Sequence, residues 1–211
     1  MDQNHLMIDA YGEMVEDYLR QRWDGYFLSF MFNQFRGSGD GLLRQMEREV
    51  ERVYATLVTR VVRDPTHPKN QAFLPRWIIC PDLPVPKRTK MSLQDVTFND
   101  GFHTQGTGLH PPVSRLRTSL DLHFLEYQDR YVKAGGALRS VTATPITRTP
   151  KKVVGYGFKA VPRRRATFHD FLILPRALNE VTNCQRGTGS TEWKDSCRLQ
   201  TCTPDLIRCA I

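Results

Sequence analysis

Two short runs in this 211-residue chain carry side chains suited to work on a phosphate. In Asn99-Asp100-Gly101-Phe102-His103-Thr104-Gln105-Gly106, His103 and Gln105 stand two apart. In an extended strand that spacing puts an imidazole nitrogen and an amide oxygen side by side on one face, which is half of a metal site. In Tyr156-Gly157-Phe158-Lys159 a phenol and an ammonium stand three apart, neighbours on one face of a helix. Each pair alone is a common pattern: a His-x-Gln pair is more often two solvated polar groups. What gives them meaning is the order and type of the elements that must bring them together.

Those elements can be read in sequence. Residues 6–22 carry Leu6, Ile8, Tyr11, Met14, Val15, Tyr18 and Leu19 at helical spacing, an N-terminal helical extension over 1–23. Tyr26 to Asn33 is dense in aromatic residues and predicts a strand whose apolar face is Tyr26, Leu28, Phe30 and Phe32. Asp40 is placed to cap a long helix over 41–63, with Leu42, Met46, Val50, Val53, Leu57 and Val61 on its apolar stripe. Trp77 to Cys80 predicts a short central strand closed by Pro81. The next strand is expected near 96–109, carrying His103 and Gln105. Ser114 is placed to cap a second long helix over 114–133, with Leu116, Leu120, Phe124, Tyr127 and Tyr131 recurring at three to four residues. A Thr- and Val-rich strand follows over 138–147, then the Tyr-x-x-Lys segment within 151–161, where two glycines weaken helix propensity. A last apolar strand covers Phe171 to Leu174. The expected fold is α+β, a central antiparallel sheet flanked by the two long helices. Residues 24–180 form the main domain and 181–211 an irregular tail without periodicity.

Composition narrows the partners. Formal net charge is +8, from 30 Lys and Arg against 22 Asp and Glu, which favours a polyanion and above all nucleic acid. Basic clusters at Lys87, Arg88 and Lys90 and at Arg163, Arg164 and Arg165 are the candidate backbone contacts. No apolar run is long enough to span a membrane, and the acidic N-terminal stretch is unlike a signal peptide, so a cytoplasmic location without membrane contact is expected. Five cysteines, an odd number, argue against a disulfide framework there. Cys184, Cys197, Cys202 and Cys209 contain no Cys-x-x-Cys, so zinc is not expected either.

In order and content the elements between about residues 24 and 175 resemble the endonuclease domain of rolling-circle replication initiators, the HUH superfamily. The likeness is to the single-tyrosine branch in which glutamine stands for the second metal-binding histidine, as in circovirus-type Rep proteins. Phe27-Leu28-Ser29-Phe30 matches the first motif, Phe102-His103-Thr104-Gln105-Gly106 the second and Tyr156-Gly157-Phe158-Lys159 the third. The resemblance implies a ferredoxin-like or RRM-like sheet, and Mg²⁺ or Mn²⁺ held by His103, Gln105 and an acidic residue on a neighbouring strand. Asp82 is the first choice for that residue, with Asp95 and Asp100 as alternatives.

It further implies that Tyr156 attacks a single-stranded DNA at an origin or hairpin. Transesterification would leave a 5′-phosphotyrosine and a free 3′-hydroxyl, the nick that initiates rolling-circle replication. The chemistry is coherent, because a phenol with an unperturbed pKa near ~10 attacks poorly at neutral pH unless a metal polarises the phosphodiester and a cation such as Lys159 offsets the developing charge. The competing expectation is a non-catalytic nucleic-acid-binding relative of the same fold. Oligomeric state is not legible in the sequence.

Overall fold

A strand with apolar residues at every second position can bury one face completely. Tyr26, Leu28, Phe30 and Phe32 do so from β1, Asp24–Phe32, in a computed structural model that describes residues 3–37, 39–82 and 103–176. The other strands are β2 (Arg76–Asp82), β3 (His103–His110), β4 (Leu138–Pro145) and β5 (Leu172–Leu174). They form one antiparallel sheet in the order β4-β1-β3-β2-β5. The helices are α1 (Gln3–Arg20), α2 (Asp40–Val61), α3 (Leu120–Glu126), α4 (Gln128–Tyr131) and α5 (Pro150–Gly157). The α+β class is as the sequence predicts, and the Trp77 strand pairs with the His103 strand.

The sheet is covered on both faces. Met46, Val50, Val53 and Leu57 of α2 join Leu28, Phe30, Trp77 and Ile79 of the sheet and Leu120 and Phe124 of α3 in one core. On the opposite face Val15 of α1 and Val154 of α5 join Ile78, Cys80, Leu109 and Phe158 in a second. α1 is thus built into a core layer, and its outer side is tied to α5 by Lys151, whose Nζ lies 3.3 Å from Glu13. Among the described residues no helix is long and apolar enough to cross a membrane.

Three local expectations need correction. The span 114–133 is not one helix: the Ser114 hydroxyl accepts the Leu116 N–H in a local turn, the Arg115 N–H donates to Val61 O, and the helix begins only after Ser119. It breaks again at Tyr127, where the Gln128 amide exchanges hydrogen bonds with both backbone groups of Val141 on β4. Asp40 is the first helical residue of α2 rather than its cap, which is Gly39, and its charge sits in the first turn where the helix dipole favours it. Pro81 does not close β2, which runs on through Asp82. β5 pairs only with Trp77–Ile79, so at Pro81 the outer side of β2 has no ladder bond for the missing N–H to break. The residues expected as strand from 96 to 102, and the tail 181–211, lie outside the described residues.

His110, at the end of β3, is buried with its Nδ1 unpartnered. Burial, with a smaller push from His123, lowers its imidazole to about 4. The unfolded chain, with an imidazole near ~6.5, therefore takes up a proton that the folded chain refuses, and stability falls as pH drops from about 6.5 towards 4. Over that window the loss reaches about 3 kcal/mol. Urea unfolding across this range should show a steeper pH dependence in the native chain than in His110→Gln; equal slopes would contradict it.

Candidate active site

Register decides which side chains meet. Asp82 lies opposite His103 and Cys80 opposite Gln105 across β2 and β3, while Met31 and Ser29 lie opposite the same two residues across β1 and β3. Directly opposed residues share a face, so Asp82, His103, Gln105 and Ser29 project to the face on which α1 and α5 pack. The helix comes close because of glycine. A Cβ at Gly106 would lie 1.9 Å from Ile78 O and 2.8 Å from Ile79 Cα, so no other residue lets β3 lie against β2 there. Beyond it, a Cβ at Gly157 would already touch Gly106 Cα at 3.4 Å and the Phe27 ring at 3.6 Å, so the end of α5 rests directly on β3 and β1.

At that contact Gln105 Nε2 donates to the carbonyls of Tyr156 and Gly157, at 3.3 and 3.4 Å. One amide thereby takes up two of the carbonyls a helix leaves open at its C-terminus. Lys159 does not share the helix with Tyr156, as the sequence suggested. α5 ends at Gly157, Phe158 is the cap and is fully buried, and the Lys159 N–H returns to Tyr156 O in a tighter turn. The neighbourhood survives the change of backbone, with Lys159 Nζ 4.4 Å from the centre of the Tyr156 ring.

Asp82 joins the parts. Its Oδ2 lies 2.8 Å from Lys159 Nζ and 3.1 Å from His103 Nε2. Burial works to raise the Asp82 carboxyl, but the hydrogen bonds from His103 and Lys159 prevail and hold it below the usual carboxylate range. Burial likewise works to lower Lys159, and Asp82, with a smaller contribution from Tyr156, holds the ammonium above its ordinary value. Both groups are charged at neutral pH, in a site only partly open to water. Tyr156 itself is 56% exposed, its ring tilted against Phe27 at 5.7 Å between centroids. Cys80 is next to this cluster but inert, since burial, followed by Asp82 and Asp170, pushes its thiol up to about 12.

His103, Gln105, Asp82, Tyr156 and Lys159 therefore come together on one face. Asp95, Asp100, Lys87, Arg88 and Lys90 lie outside the described residues. Arg163, Arg164 and Arg165 occupy the turned segment after Val161, the first two exposed and Arg165 half-buried. The sequence reading missed Phe27 as the aromatic partner of Tyr156; its odd position on β1, out of phase with the buried Tyr26 and Leu28, was the available signal. Set against known proteins, the chain matches no family model, no curated protein and no solved structure.

Removing the ammonium while keeping the stem tests the electrostatics. In Lys159→Met the Asp82 carboxyl, followed by carbon NMR, should titrate at a higher pH than in the native chain. An unchanged midpoint would mean that Lys159 does not hold the charge on Asp82.

Proposed function

We propose that this chain is a metal-dependent, single-tyrosine endonuclease of the HUH type, which nicks single-stranded DNA by transesterification. The observation that carries the reading is one oxygen, Asp82 Oδ2, on which His103 and Lys159 converge, with Tyr156 beneath the ammonium and its backbone carbonyl bonded to Gln105. Unrelated polar pairs have no reason to meet in this way. The connectivity adds support: β1-α2-β2-β3-α3/α4-β4 in the order β4-β1-β3-β2 has the ferredoxin-like pattern, with β5 added outside β2.

The donor set fits a hard divalent ion. Among the described residues no three His, Cys, Asp or Glu groups cluster, so the set depends on Gln105 beside Asp82 and His103. Turning its Nε2 to the helix carbonyls leaves the amide oxygen as the remaining donor. One imidazole, one carboxylate and one amide oxygen suit Mg²⁺ or Mn²⁺. When bound, the ion supplies polarisation of the scissile phosphodiester. Tyr156 Oη attacks phosphorus as the bond to the 3′-oxygen breaks, and the phenol proton ends on the freed 3′-hydroxyl. Lys159 offsets negative charge on the phenol oxygen and the phosphate during the transfer. Because Asp82 Oδ2 is the oxygen that Lys159 holds, a divalent ion there would compete with the ammonium for it, and Lys159 would then be the cation free to face the phosphate.

A second reading is favoured by that same ion pair. Asp82 already has a cationic partner without a metal, as in a relative that binds nucleic acid and no longer cuts it. Tyr156→Phe separates the two. Nicking of single-stranded DNA with Mn²⁺, and the covalent adduct, should fall to background while DNA binding stays nearly unchanged; cleavage that survives the change rejects the mechanism. Lys159→Met should move two readouts in opposite directions. Mn²⁺ affinity by calorimetry should tighten about tenfold as the competitor leaves, and nicking should slow by roughly 10²-fold. Weaker Mn²⁺ binding in the variant would show that Lys159 supports the ion site instead of contesting it.

A further inference from the structure

Beside Tyr156, on the side away from Asp82, runs an open groove of about 320 Å³ between the end of β4 and α5. Phe27, Ile146, Val153 and the Tyr156 ring form its apolar walls, and Thr144 and Lys152 supply its polar groups. A volume above ~300 Å³, lined by apolar side chains with a few polar ones, is what small-ligand sites have. Its position suggests the ligand. The Tyr156 side chain interacts with Lys159 in the Asp82 cluster, while its ring forms a wall of the groove. One ring is thus shared between the charge cluster and the groove.

We propose that this groove is a base-binding subsite, taking one nucleobase of single-stranded DNA next to the scissile phosphate; the proposal rests on the nuclease reading above. Aromatic and apolar walls accept any base through its flat face, which suits a strand held without sequence-specific pairing. Thr144 can donate to or accept from a base edge, and the exposed Lys152 supplies a cation for the strand's backbone. The surplus of Lys and Arg over acids is of the sign this ligand needs. An acidic or neutral peptide would find little in the groove to bond its backbone.

The test separates bases from backbone. Binding of the full chain to oligo-deoxythymidine is compared with binding to an abasic deoxyribose-phosphate oligomer of the same length, at fixed salt. The native chain should bind the base-bearing oligomer about tenfold more tightly, the size expected from stacking of a single base. Val153→Trp fills the groove and should remove most of that advantage while leaving affinity for the abasic oligomer unchanged. Thr144→Trp, on the exposed edge strand, reaches the same space from the other wall and guards against misfolding of the first variant. A tenfold advantage retained by both variants, or absent from the native chain, overturns the subsite. Failure to bind either oligomer overturns the nuclease reading as well, whereas binding and nicking with the groove variants silent sinks the subsite alone.

Discussion

A buried carboxylate without a partner is among the costliest things a fold can contain, and the arrangement around Asp82 follows from that. It is 7% exposed, at the end of a strand, and can stay ionised only if donors come to it. One comes from β3, directly opposite in the ladder, and the other from the turn after α5. The carboxylate thus links two parts of the chain far apart in sequence. Tyr156 is held twice, at its ring by the Lys159 of this link and at its carbonyl by Gln105.

The helix that carries Tyr156 is short, and eight residues make little helix by themselves. It is held from both sides. Below, the absence of a side chain at Gly106 and Gly157 brings the helix end onto the sheet. Above, α1 packs on it through Val15 and ties it down through Lys151 and Glu13. The phenol is therefore exposed while the backbone that carries it is fixed, a combination suited to a group that must meet a large ligand.

Much of this was legible in the sequence, where period was the evidence. α2 and β1 follow from their stripes, and the shared face of His103 and Gln105 follows from alternation. The pattern reported burial better than backbone. Leu116, Leu120, Phe124, Tyr127 and Tyr131 all face the core as predicted, yet the chain that carries them turns and breaks where Ser114 and Gln128 make bonds no periodicity records. Pro81 misled for a similar reason: whether proline ends a strand depends on which neighbour needs its N–H, and the short β5 asks for none. The convergence of Asp82 on Lys159 was not legible, because it depends on how α5 sits over the sheet.

Asp82 and His103 are also the last pair of the β2–β3 ladder, so the connection between those strands leaves from one and returns at the other. Seven paired positions of sheet fix where Asp82 and His103 stand. A change that spreads the last rungs of that ladder therefore parts the imidazole from the carboxylate as it parts the strands.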